Sequence, residues 1–287
     1  MIVAALVRRS AVQSLYVLVP CLLLLALFQL IIVAQAASIE STRSFERMAE
    51  LIPAFLQRGM GGRAMLLASF KGTVTFGYFH PVIAIMVSIL AIYMASEPAY
   101  DVESGRVDLV LARSIPRHRL MTRSLILFTA VTFAAALSMA FGTWIGLHTF
   151  ASPASSWPSP RIVGLLLVHL VSIGWCFGAL GLAVAAGARR WSAAFASVTL
   201  GAVALYLIEV LAIGWAPART VAWLSPFHYY PALPIVAGDP TGLTNVAVLL
   251  AAAAVLTVIA YWRFNRRDLY ILGMPEGSRR THNGTPG

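Results

Sequence analysis

Three groups of residues stand out from an otherwise apolar chain, each with types and spacing that could do chemical work. Residues 97–123 hold Glu97, Asp101, Glu103 and Asp108 among Arg106, Arg113, Arg117, Arg119 and Arg123, and are broken by Pro98, Gly105 and Pro116. Charges of both signs at this density serve either as a solvated loop or as a surface that grips another protein through ion pairs. His169 and Glu209 each lie inside a long apolar run, where an ionisable group is costly and often functional. Residues 225–234 carry Phe227, His228, Tyr229 and Tyr230 between three prolines. Such a segment anchors at a membrane edge or forms a gate or re-entrant element over a path.

The common catalytic signatures are missing. No G-x-x-x-x-G-K occurs, and Lys71, the one lysine, sits in Phe70-Lys71-Gly72, so the sequence offers no P-loop for a nucleotide. Neither H-E-x-x-H nor G-x-S-x-G is present. Cys21 and Cys176 stand alone in apolar stretches, without a C-x-x-C or a histidine pair, and read as small apolar side chains rather than metal or redox groups.

The elements that must position these residues are set by composition. The chain has 287 residues, of which 59% are hydrophobic and 11% charged, with a mean hydropathy of +0.81. Soluble domains carry about a quarter charged residues, so this chain cannot cover itself with a soluble surface. Apolar runs of about twenty residues, the length that crosses a hydrocarbon core, fall near 15–36, 76–95, 125–147, 162–186, 191–215 and 245–262. The expected fold is all-α and polytopic, with a six-helix domain over residues 1–270 and a disordered tail over 271–287. Ala34-Gln35-Ala36 resembles a signal-peptidase site, but the run before it exceeds the roughly 7–15 residues of a signal peptide, which favours a retained first span. Phe45, Met48, Ile52, Phe55 and Leu56 share one face at helical spacing, and predict an interfacial helix on the outer side.

Arginine placement sets orientation. Fourteen basic residues, including Arg8, Arg9, Arg189 and Arg190, fall on one side of the six spans and seven on the other. The richer side is assigned to the cytoplasm, together with both termini. The net charge of +10 then answers to topology and anionic lipid rather than to nucleic acid. His169 and Glu209 each lie about twenty residues from the Arg189-Arg190 turn, and at about 1.5 Å per residue reach the same depth in the outer leaflet. They read either as a hydrogen-bonded clip or as the lining of a translocation path. In the polar loop, Pro98 is placed to open a short helix and Gly105 to end it, while Ser114 and Pro116 prepare the next. From the residues alone, a solvated loop and a docking surface both stand.

At these residues the sequence resembles the type-2 permease subunits of ATP-binding-cassette (ABC) exporters. The likeness is carried by Glu103-Ser-Gly105-Arg-Val-Asp108 followed by Leu-Ala-Arg113-Ser-Ile-Pro116-Arg117, in which the proline stands two residues later than in the commonest Arg-Pro form. It extends to Phe79-His80-Pro81, to Leu224-Ser-Pro226-Phe-His228-Tyr229-Tyr230 and to Asn265-Arg-Arg-Asp268-Leu. The resemblance implies a coupling helix within residues 97–123, seated on a separate cytoplasmic ABC ATPase that holds ATP and Mg, with no cofactor in this chain. Glu97, Asp101, Glu103 and Asp108 are then expected to meet basic residues of that ATPase, with Gly105 and Pro116 shaping the loop. Arg113 and Arg117 are expected to fix the loop against the membrane surface and the acids. A second permease subunit, as homodimer or heterodimer, would complete the unit in a bacterial cytoplasmic membrane. The competing expectation is an integral membrane enzyme or assembly factor whose loop is merely structural.

Overall fold

The computed structural model describes residues 2–42, 44–45, 66–106, 116–239 and 243–266, which fold into helices and turns with no strand among them. The helices are α1 (Ile2–Ser41), α2 (Phe70–Phe79), α3 (Pro81–Ala95), α4 (Glu97–Glu103), α5 (His118–Phe150), α6 (Pro160–Ala185), α7 (Trp191–Gly214), α8 (Ala216–Arg219), α9 (Ala232–Ala237) and α10 (Thr244–Arg266). Six of the helical stretches are long and apolar enough to cross a membrane: α1, α2 with α3, α5, α6, α7 and α10. The protein is an all-α, multi-pass membrane protein. The interfacial helix expected near residues 45–56, the loop residues Asp108 and Arg113, and the tail lie outside the described residues, apart from Phe45.

The helices run past the apolar stretches that announce them. Helix α1 continues through Arg8 and Arg9 at one end and to Ser41 at the other, with Pro20 inside it, and α5 begins at His118 rather than near 125. Polarity marks where the hydrocarbon ends, whereas backbone hydrogen bonding continues into the headgroup layer. Local chemistry fixes several ends. Ser159 accepts the Ile162 N–H at 3.4 Å with Pro160 in the first turn of α6, and Ser69 accepts the Gly72 N–H at 3.1 Å at the start of α2. At the other end of α7, the Arg219 guanidinium donates to the Ala212 and Ile213 carbonyls at 2.8 and 3.1 Å, using up acceptors that a helix terminus leaves open.

Helices α3 and α6 form the middle of the bundle. Helix α3 packs between α5 and α6, α1 lies along α5, α10 lies along α6, and α7 rests on α3 and α6 at the edge. Core side chains such as Phe128, Met139, Phe177 and Leu182 are fully buried. The α1–α5 seam is unusually close: a Cβ on Gly142 would stand 2.2 Å from the Ala26 carbonyl oxygen, the backbone approach that small residues allow between membrane helices. The second span breaks at His80 (φ −57°, ψ 135°), where Nδ1 accepts the Val82 N–H at 3.4 Å and Pro81 opens α3. Rings of Phe28 and Phe76 flank it at 5.3 and 5.2 Å. At the end of the bundle that carries residues 2 and 266, the Thr122 and Tyr261 hydroxyls meet at 2.8 Å and tie α5 to α10.

Candidate functional site

The polar loop is built around one arginine. Pro98 stands in the first turn of α4, and Gly105, with φ of +69°, follows its end in the left-handed conformation that glycine adopts at low cost. The spacing of four between Glu97 and Asp101 puts both carboxylates on one helical face. That face meets Arg123, one and a half turns into α5. Its Nε lies 3.0 Å from Glu97 Oε2 and its Nη2 lies 2.7 Å from Asp101 Oδ2. All three side chains are at most 18% exposed. Burial pushes the Glu97 carboxyl up, Arg123 pulls it down, and the neighbouring Asp101 pushes it up again. Two acids on one buried cation form a fixed joint: the ions attract strongly at low dielectric, and any one left alone would be expensive.

Glu103 makes a second joint. Its Oε2 accepts the backbone N–H of Trp191, the first residue of α7, at 2.8 Å. A carboxylate at that position satisfies an orphan donor and faces the positive end of the helix dipole. Helix α4 is thus continuous with α3 through Ser96, whose N–H bonds the Ile92 carbonyl at 2.9 Å, ion-paired to α5, and hydrogen-bonded to α7. Pro116 and Arg117 lie just ahead of α5, where the Arg119 and Leu120 amides bond their carbonyls at 3.0 and 3.1 Å. Arg106 leaves the end of α4 and lies over the Tyr100 ring at 4.9 Å.

Between α1 and this loop opens a cavity of about 650 Å³. Arg9, Ser10, Gln13 and Tyr16 of α1 form one wall, and Glu97, Asp101, Arg106, Arg123, Tyr93 and Trp191 form the other. Trp191 stacks on Phe195 with centroids 5.1 Å apart and meets Tyr93 edge-on at 6.0 Å, so the wall is rigid and aromatic where the ion joint ends.

The other predicted groups sit at the opposite end. His169 is fully buried, bonded through Nδ1 to the Leu165 carbonyl at 2.8 Å and stacked on Tyr230 at 5.8 Å. Glu209 pairs instead with His228, Nδ1 to Oε2 at 3.4 Å. The expected His169–Glu209 clip is therefore replaced by two contacts to one segment: equal depth on α6 and α7 does not set the rotation of either helix, and residues 227–230 supply nearer partners. That segment is a run of 3₁₀ turns and short helices from Ala216 to Ala237, as its prolines dictate. Tyr230 donates to the Leu166 carbonyl at 3.1 Å and reaches that of Tyr78 at 3.4 Å. Phe227 packs against Phe177 and Tyr206, and His228 and Tyr229 meet edge-on.

Sequence reasoning misses Arg123 as a partner, reading it as one of five topology-setting arginines. The signal was the Glu97–Asp101 spacing beside an arginine at the start of the next apolar run. It also assigns Glu103 to an outside protein, although the N-terminus of α7 takes it. Gln29, whose amide donates to the Val74 carbonyl at 2.9 Å across the α1–α2 contact, left no signal beyond being polar within an apolar run.

Over residues 3–265 the sequence matches the family described as Multidrug efflux system permease Rv1217c, C-terminal domain. It is 31% identical over 195 residues to the Multidrug efflux system permease protein Rv1217c of Mycobacterium tuberculosis (strain ATCC 25618 / H37Rv), a match that covers 67% of this chain and 32% of that relative. The chain thus spans about a third of the relative's length. The expected kinship with ABC exporter permeases is borne out, and the matched range takes in all six apolar helices but for the ends of the first and last. The protein belongs to the family of the multidrug efflux permease Rv1217c C-terminal domain.

Proposed function

We propose that the chain is the membrane-spanning permease subunit of an ATP-driven efflux system, with residues 97–123 as the element on which a separate cytoplasmic ABC ATPase pushes. The observation that carries this reading is the double fastening of α4, to Arg123 of α5 and to the first amide of α7. The buried joint to Arg123 passes a displacement of α4 to α5, and the single bond to α7 is the weaker of the two fastenings. On this reading the end of the bundle bearing the loop and both described termini faces the cytoplasm of a bacterium. ATP and Mg²⁺ are bound by the ATPase, and a second permease unit completes the path. His169, Glu209 and residues 227–230 then belong to its outer half, with Phe227, His228, Tyr229 and Tyr230 as the gate. The family relative is named for multidrug efflux, and an amphiphilic small molecule suits spans as apolar as these. The enzyme alternative has no catalytic signature behind it.

The test uses membrane vesicles in which the chain is co-expressed with a candidate ABC ATPase from the same organism. ATP-dependent movement of an amphiphilic dye is expected, together with ATPase activity that rises when the permease is present. Replacing Glu103 and Gly105 together should abolish both while the permease still purifies as a folded, monodisperse protein. Full dye movement by that double variant, or an ATPase indifferent to the permease, refutes the assignment.

A further inference from the structure

The cavity beside the loop carries an uncompensated charge. Of the five ionised groups around it, Glu97 and Asp101 are both consumed by Arg123. Arg9 has no acidic partner among the described residues, and Arg106, which lies over the face of Tyr100, also acts on Glu97, so three arginines face two carboxylates and one positive charge is left over. A cation coming into the cavity would meet two arginines and find the carboxylates already paired. An anion would find two guanidinium groups, the amide of Gln13 and the hydroxyl of Tyr100, while Ser14 and Tyr16 are engaged with Tyr93. At about 650 Å³ the space is of ligand size.

The cavity also has an apolar exit. Val12 and Tyr16 line it, and the exposed side chains of Val19 and Leu23 continue the same stripe of α1 at helical spacing. From Val12 to Leu23 the helix rises ~16 Å, close to the ~15 Å depth of one leaflet. A charged head seated between Arg9 and Arg106 could therefore keep its chains in the bilayer along α1. We propose that this cavity is a binding site for the phosphate-bearing head of an anionic membrane amphiphile, held between Arg9 of α1 and Arg106 at the end of α4. The site stands on charge and shape alone and does not depend on the efflux reading.

The neighbouring residue supplies the control. Arg8 is exposed on the same helix but does not line the cavity. General attraction of a basic surface to anionic lipid treats the two arginines alike, whereas a built site does not. The full chain, purified in detergent, is mixed with equal amounts of phosphatidylglycerol and phosphatidylcholine, and bound lipid is counted by native mass spectrometry. Preferential retention of phosphatidylglycerol is expected. Arg9→Gln should lower it about fivefold, the loss of one basic contact to an anionic headgroup, and Arg8→Gln should leave it unchanged. Arg106→Gln reports from the opposite wall and should act like Arg9→Gln. Equal retention of the two lipids, equal effects of Arg8→Gln and Arg9→Gln, or complete displacement by soluble glycerol phosphate, which would make the ligand a free phosphate, each overturns the proposal.

Discussion

Replacing Arg123 by glutamine tests the joint at the heart of the loop. The substitution keeps a polar side chain but removes the charge that Glu97 and Asp101 share at 3.0 and 2.7 Å. Losing one partner of a buried ion pair costs about 3–5 kcal/mol, because the other charge stays buried and unpaired. Two carboxylates are stranded here, but Glu97, at 18% side-chain exposure, borders the cavity and recovers some hydration, so the lower end of the range applies. A loss of ~3 kcal/mol corresponds to a drop in Tm of roughly 10 °C for a chain of this size. The pH dependence has a definite sign. Burial already holds the Glu97 carboxyl above its ordinary value, against the pull of Arg123. A group raised in the folded state supports the fold below its unfolded pKa and loses that support as pH rises through the folded value. Removing Arg123 moves the folded value further up, so the deficit should be full at alkaline pH and shrink as pH falls through the folded value of Glu97. Scanning fluorimetry on the tryptophans of the detergent-solubilised protein reads both quantities. The triple variant with Glu97→Gln and Asp101→Asn should regain most of the loss. An Arg123→Gln protein within about 1 °C of the parent at every pH, against the ~3 kcal/mol expected, sinks the argument.

Other joints give smaller and distinct effects. Gly142→Ala puts a methyl 2.2 Å from the Ala26 carbonyl oxygen; forcing α1 and α5 apart should cost about 1–3 kcal/mol, read as a lower midpoint of thermal unfolding. Tyr230→Phe removes the hydroxyl that bonds the Leu166 carbonyl at 3.1 Å and should cost about 1 kcal/mol. Glu209→Gln, at a half-exposed pair 3.4 Å long, should stay within ~0.5 kcal/mol; the same melts separate the two, and a larger loss from Glu209 would overturn the assignment of Tyr230 as the stronger anchor. Glu103→Ala takes the acceptor from the first amide of α7 and should cost ~1 kcal/mol, with faster amide exchange confined to the first turn of α7.

Much of the fold is legible in the sequence because crossing a membrane leaves little choice. Each span must run helical to satisfy its own backbone, and a run of about twenty apolar residues says where. The short helix of the loop is legible too, since Pro98 and Gly105 mark its ends through their backbones. What the sequence hides is rotation. His169 and Glu209 share a depth, yet hydropathy carries no record of which way α6 and α7 turn about their axes, and both side chains found partners in residues 227–230 instead. Arg123 was hidden for the opposite reason. Its position beside an apolar run looks like every other flanking arginine, and only the packing of α4 against α5 separates a counter-ion from a topology signal.

The unequal strength of the two fastenings of α4 bears on how a push would travel. The Arg123 joint is buried and doubly ionic, and breaking it costs about 3 kcal/mol. The Glu103 joint is one exposed hydrogen bond to a helix terminus, worth about 1 kcal/mol. A force on α4 therefore moves α3 and α5 with it as one body, while the contact with α7 yields first. Helix α7 is also the least enclosed of the later spans, resting on α3 and α6 with Leu200, Leu207 and Leu211 exposed. Trp191, its first residue, is a wall of the cavity. Displacement of α4 against α7 thus changes the width of the same space that Arg9 and Arg106 line, which couples the occupancy of that cavity to the position of the loop without any further moving part.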